Sequence, residues 1–257
     1  MQPARKNGHR LSILVFLCLT IVLVAPSHAQ TINDPPDTPE EVASRRHSLS
    51  LLRQGRFEEL DGKMDGLQRS YELGRLGDES LLHQFRAFYD TDPALEGQYN
   101  AWIAKLPRSY TGYLARGIYY RYRGTQARGT RYIAETPREQ LAVMSMYLDK
   151  AMRDYDQSLT LTEKPLLSYH SILAVAMLTG DTDMARKMLD ESVRIDARNF
   201  VVRYKFFNTL QTRWGGSVAQ MVDFLQTARA AGLTDAQLKY FENMIAVERK
   251  WLNARRQ

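Results

Sequence analysis

Cysteine is almost missing from this 257-residue sequence: Cys18 is the only one, and it lies in the first apolar run. Everything after that run can form no disulfide, thiolate metal site or thiol nucleophile of its own. Histidine is scarce too. Beyond the leader only His47, His83 and His170 remain, in none of the spacings that hold a metal. No Gly-x-Ser-x-Gly elbow and no phosphate loop occurs, and no motif implies a cofactor. Alternating apolar runs bounded by hairpin turns are absent as well, which argues against strands. A mean hydropathy of −0.42 excludes a polytopic membrane protein. Acids are missing from one stretch altogether: Gly97 to Ala134 contains none in 38 residues.

What is present is the composition of a folded domain, 44% hydrophobic and 25% charged, behind one apolar leader. Arg5, Lys6 and Arg10 precede the apolar run Leu11 to Ala25, and Pro26-Ser27-His28-Ala29 follows it. That pattern predicts a secretory signal peptide over 1–29, cleaved before Gln30, and places the mature protein in the periplasm or outside the cell. The other reading, an uncleaved anchor, requires a longer run than these 15 residues. Leu17 before Cys18 argues against lipidation. Losing the leader lowers Lys plus Arg from 35 to 32 against 29 acids, a net charge of +3. Export also disfavours nucleic acid as a partner, and no membrane span is expected after cleavage.

Residues 30–37 are polar and proline-rich and read as a disordered tether, with a single all-helical domain expected over 38–257. Thr38-Pro39-Glu40-Glu41 and Thr136-Pro137-Arg138-Glu139 carry the signature of a capped helix start. Asp92-Pro93, Ser217 and Thr234 are further starts. Leu141, Met144, Leu148, Met152, Tyr155 and Leu159 recur at helical spacing. Helices are therefore predicted near 39–54, 57–73, 79–90, 93–105, 110–123, 137–161, 165–179, 182–196, 200–211, 217–231 and 235–253. Ala151, Ser158, Leu159 and Leu161 recur 34 residues later as Ala185, Ser192, Val193 and Ile195, the tetratricopeptide period. Leu173 and Ala197 depart from that repeat, and residues 93–135 fit none. The expected fold is all-α, a tetratricopeptide-like array of helical hairpins.

The acid-free stretch carries Lys105, Arg108, Arg116, Arg121, Arg123, Arg128 and Arg131, so the rest of the mature chain sums to −4. Tyrosines lie between these cations, Tyr110, Tyr113, Tyr119 and Tyr120 among them. Arginine forks bind carboxylate or phosphate, and tyrosine rings stack on sugars or peptide groups. One reading makes Arg108, Tyr110, Arg116, Tyr120, Arg121, Arg123 and Arg128 a partner-binding surface. The plainer reading pairs the arginines with acids of neighbouring helices and puts the rings in the core. Arg213-Trp214-Gly215-Gly216-Ser217 offers a second candidate, since a glycine pair before a helix start can aim amides at an anion beside Arg213. Its plainer reading is a sharp turn capped by Ser217 with Trp214 as a packing wedge. Glu58-Glu59, Asp190-Glu191 and Asp154/Asp156 read as solvated faces, although carboxylates of a hydrolase are not distinguishable from these by spacing.

Ala101-Trp102-Ile103, Leu106-Pro107-Arg108-Ser109-Tyr110, Leu114-Ala115-Arg116-Gly117, Ala127-Arg128-Gly129 and Arg213-Trp214-Gly215-Gly216-Ser217 together resemble the bacterial domain of unknown function 4034 family over residues 50–230. The sequence departs from that family pattern at Thr212, which stands where a proline is expected, and at Ala197. The resemblance implies a helical, tetratricopeptide-like fold and brings no known activity or binding residue. The function expected is therefore that of an exported, non-enzymatic protein binding an envelope protein or peptide, acidic ones included. The alternatives are an anionic glycan such as peptidoglycan or lipopolysaccharide as the ligand, or an envelope hydrolase.

Overall fold

Side-chain caps set five of the helix starts. The Thr38 hydroxyl accepts from the Glu41 amide while the Glu41 carboxylate accepts from the Thr38 amide, and α1 (Pro39–Arg53) runs from that reciprocal pair. There follow α2 (Phe57–Glu72), α3 (Asp78–Phe85), α4 (Leu95–Lys105), α5 (Tyr110–Arg128), α6 (Arg138–Leu159), α7 (Leu166–Thr179), α8 (Thr182–Ile195), α9 (Val201–Thr209), α10 (Val218–Ala230) and α11 (Asp235–Ala254). The computed structural model describes residues 38–131 and 133–255. The expected leader at 1–29, the tether at 30–37 and Tyr132 lie outside the described residues. Among those described, every regular element is helical, so the fold is all-α.

Ser217 and Thr234 cap α10 and α11 as expected, accepting from the Gln220 and Gln237 amides. Two expected starts shift. Pro137 is extended (φ −54, ψ 142), so it occupies the cap position, and α6 begins at Arg138. Asp92 turns its carboxylate to the Ala94 amide at 3.0 Å and to Arg53 at 3.4 Å, and α4 begins at Leu95. The helix expected over 79–90 tightens into a 3-10 turn at Arg86–Tyr89 and ends at extended Asp90. α5 runs past its expected end through Gly124, because α6 approaches there: a Cβ on Gly124 would lie 3.2 Å from the Met144 carbonyl oxygen. Gly129, at φ +74, stops it instead.

Neighbours in sequence pack as pairs, α1 with α2, α5 with α6, α7 with α8 and α10 with α11. Other contacts cross the order: α1 meets α4, α2 and α7 meet α5, and α9 meets α7 and α3. The 34-residue correspondence has a physical counterpart. Ser158 and Ser192 are both fully buried, and each hydroxyl donates to the carbonyl three residues back, Tyr155 and Leu189. Tyr99, Trp102, Tyr119 and Tyr155 fill the core around α5, and Phe207 and Phe241 fill it near α11.

Candidate functional site

The first turn of α5 is tied down by one carboxylate. Asp61 of α2 accepts from the Trp102 indole at 3.0 Å, from Thr111 at 3.1 Å and from the Ser109 hydroxyl, while Ser109 caps α5. Trp102 and Tyr110 are thereby core residues. α5 has no acid of its own, so the cations along it must find partners elsewhere.

They find them mainly on α6 and α4. Arg116 makes a forked pair with Asp154, Nε to Oδ2 at 2.8 Å and Nη2 to Oδ1 at 2.7 Å, and reaches Asn100 at 2.9 Å. Burial pushes the Asp154 carboxyl up even against the lowering effect of Arg116. Arg123 donates to the Tyr119 and Tyr147 hydroxyls, each at 3.0 Å. Tyr120 donates to Glu96 at 3.1 Å, and Lys150 pairs with the same carboxylate at 2.9 Å. Burial opposes the Glu96 charge, but Lys150 and Tyr120 outweigh it and hold that carboxyl below its ordinary value. Arg121 is only 9% exposed, with its guanidinium 4.2 Å from the centre of the Tyr122 ring.

The expected Arg/Tyr surface is thus divided. Tyr110, Tyr120 and Arg121 are buried, and Arg116 and Arg123 are half-buried in internal bonds, so these five do not form an open patch. Arg108 is exposed before α5, and Arg128 is half-buried at its far end, where it donates to the Arg131 carbonyl at 3.3 Å. The length of α5, 19 residues, keeps them apart.

The second candidate is a turn in which the amides are already used. Gly215 donates to the Thr212 carbonyl at 3.1 Å and Gly216 to the Gln211 carbonyl at 3.2 Å, which leaves neither amide for an anion. Gly215 has φ +88, and a Cβ on Gly216 would lie 2.2 Å from the Leu210 carbonyl oxygen, so both glycines are required by the turn itself. Trp214 is no packing wedge: it is 37% exposed, with Arg213 6.0 Å from its ring. The turn is anchored where the Thr212 amide, at 2.9 Å, and hydroxyl both donate to Glu248 of α11.

One helical turn beyond Glu248 stands Trp251, 41% exposed with Arg255 4.3 Å from its ring, and just before it stands Val247, 45% exposed. Two exposed tryptophans, each with a guanidinium close to its ring, therefore follow closely in sequence the two ends of one part-buried anchor. Trp251 and Val247 were missed in the sequence reading, although they are legible: four residues apart, they fall off the buried stripe of Leu238, Phe241, Ile245 and Glu248.

Among the described residues the three histidines lie apart from one another in separate surroundings. His83 faces Glu41 at 3.3 Å, His47 lies 3.9 Å from Glu59, and His170 is buried. Among the described residues no group of His, Cys, Asp and Glu is arranged to hold a metal, and no helix is long and apolar enough to cross a membrane. An open depression of about 380 Å³ on α1 is lined by Arg46, Leu49, Ser50, Arg53 and Gln54, none of them a reactive group.

No curated protein and no solved structure matches the chain at a significant level. A family model described as "Domain of unknown function (DUF4034)" matches residues 45–184, from within α1 to the first turn of α8. It covers all of the Arg/Tyr segment and stops short of the Arg213-Trp214 turn. With more than half of its length matched, and with the strings from Trp102 to Gly129 inside the match, the chain belongs to the DUF4034 family.

Proposed function

We propose that this chain is a non-enzymatic scaffold of helical hairpins, exported to the cell envelope, that docks a protein partner on the face formed by the α9–α10 turn and the end of α11. Export rests on the leader sequence, with its basic start, apolar run and small residues before Gln30. The docking reading rests on one observation: Trp214 and Trp251 stand exposed two residues after Thr212 and three after Glu248, the two ends of one anchor, each with an arginine close to its ring. Trp and Arg are the residues most enriched at binding hot spots, and a rigid anchor holds them ready without ordering cost. The internal pairing of Arg116, Arg121 and Arg123 gives the Arg/Tyr segment a structural part, to hold the scaffold that presents this face.

The test is retention of envelope protein by the immobilised chain, compared with the Trp214→Ala/Trp251→Ala variant and with Arg108→Gln, whose side chain is exposed elsewhere. One stoichiometric protein retained at low and moderate salt, lost in the double variant and kept in Arg108→Gln, is the expected result. Equal retention by the double variant sinks this face. Glycan retained only at low salt would replace the protein partner by an anionic polymer.

A further inference from the structure

The last turns of α11 carry a strip of exposed side chains on one flank. α11 packs chiefly on α10 through the stripe that ends at Glu248. Val247, Trp251 and Arg255 follow one another at four-residue spacing, so they share one flank of the helix, and Lys250 stands three residues from Val247 on its border. All four are exposed. The strip is thus a valine and an indole framed by two cations, beside the turn that Glu248 holds through Thr212.

Acids are missing from this corner. From Asn243 to Arg255 the only one is Glu248, buried and occupied by Thr212, and from Ala197 to Val222 there is none. The nearest other acids along α10 and α11 are Asp223 and Glu242, and Glu242 is taken by Arg229 at 3.3 Å and Lys239 at 3.8 Å. Arg213 belongs to the same corner, because it directly follows Thr212 and so begins about 4 Å along the chain from the anchored residue. Arg213 and Arg255 each meet an indole ring, at 6.0 and 4.3 Å, and among the described residues neither they nor Lys250 meets a carboxylate. A ring covers one face of a guanidinium but takes none of the N–H donors in its plane, which leaves the fork for a carboxylate.

We propose that this flank of α11, with the neighbouring Arg213, takes an acidic segment of a protein partner, whose carboxylates meet Arg255, Lys250 and Arg213 while an apolar side chain between them lies on Val247 and Trp251. The inference rests on the docking reading above and adds to it the chemistry of the partner. Charge complementarity carries it: three exposed cations without an acid of their own surround a small apolar strip. An anionic lipid surface is the poorer match, since an interfacial helix offers a broad apolar face with its cations opposite, whereas the broad apolar face of α11 is turned to the protein and its cations stand beside Trp251.

Tryptophan emission of the full chain tests it, because Trp102 is buried and a change on titration reports Trp214 and Trp251. The probes are a short Glu-Leu repeat peptide, its Gln-Leu counterpart, and phosphatidylglycerol vesicles. Saturable binding of the Glu-Leu peptide is expected, about tenfold or more tighter than that of the Gln-Leu peptide. Arg255→Gln/Lys250→Gln should weaken the acidic peptide about tenfold and leave the neutral one unchanged, and Trp251→Ala should weaken both. All these side chains are exposed, and thermal melts matching the wild type identify the variants as folded. Equal affinities for the two peptides, or an acidic peptide indifferent to Arg255→Gln/Lys250→Gln, would overturn the acidic partner. The docking reading would outlive that result if the Trp214→Ala/Trp251→Ala variant still lost its envelope protein. Vesicles bound with neither peptide bound would make the flank a lipid contact and overturn the inference, as would no binding of any probe.

Discussion

The α5–α6 pair and the α9–α11 end reach stability by opposite arrangements of similar residues. Around α5 the cations go in: Arg116, Arg121 and Arg123 lie against tyrosine hydroxyls, ring faces and Asp154. Around α11 phenyl rings go in and Arg213 and Arg255 stay out, with Arg203 of α9 the one cation there that is buried, on the Ala197 carbonyl at 2.8 Å. Phe207 and Phe241 sit 4.5 Å apart, Phe206 and Phe224 5.3 Å apart, and Phe224 meets Phe241 edge-on. An apolar cluster is held by shape and tolerates repacking, whereas a buried arginine depends on the particular carboxylates, hydroxyls and rings that its guanidinium meets. The first region therefore specifies which helix lies beside which, and the second buries only Arg203 and Glu248 among its charges and leaves both indoles at the surface.

The largest effect should come from the phenyl end. Phe207→Ala removes a fully buried ring from contact with Phe224 and Phe241 and should cost about 4 kcal/mol by denaturant unfolding. Its partial rescue by Phe207→Leu would mark a core held by volume. A loss below about 1 kcal/mol would show that this end collapses around the gap.

Next comes Asp154→Ala, which leaves the Arg116 fork facing nothing in a region where its side chain is 19% exposed. A loss of about 3 kcal/mol is expected, and the pair Arg116→Met/Asp154→Leu should recover most of it, since both charges then go. If the single change costs no more than a surface pair, below about 1 kcal/mol, the contrast between the two regions fails. Gly117→Ala should follow at about 2 kcal/mol, because its Cβ would lie 2.5 Å from the ring of fully buried Tyr155 and α5 would have to withdraw from α6.

How much of this is legible in the sequence divides along the same line. Caps at Thr38, Ser217 and Thr234 and the periodicity of α6 are local facts, so the helices emerge from short windows of residues. The Arg/Tyr segment reads as surface or as core with equal ease, because the residues that decide it are distant. Asp154 lies 38 positions from Arg116, and Lys150 lies 54 from Glu96. Glycine misleads in the same way: Gly124 looks like a stop and is a contact, and only the approach of Tyr147 and Met144 reveals it. The Arg213-Trp214 string stands out in the sequence, but its meaning depends on Glu248, which no spacing rule connects to Thr212.

The smallest effect is a slope. Burial, and then Lys205, Arg121 and Arg86, hold the His170 pKa well below the ordinary value of about 6.5. As pH falls past that value the unfolded chain takes up the proton first. The contribution of His170 to stability is therefore complete above about 6.5 and is lost progressively below it, toward the lower folded value. Asp78 and Asp154 work in the other direction, since burial raises both above their ordinary value and the folded state holds their protons more tightly. Comparing denaturation midpoints of the wild type and His170→Gln between pH 7.5 and 5.5 cancels the carboxylates and leaves the histidine. The wild type should lose stability more steeply with acid than the variant. Parallel curves would mean that the charges of the α5 region do not reach α7, and that the polar half of the molecule is less tightly knit than its hydrogen bonds suggest.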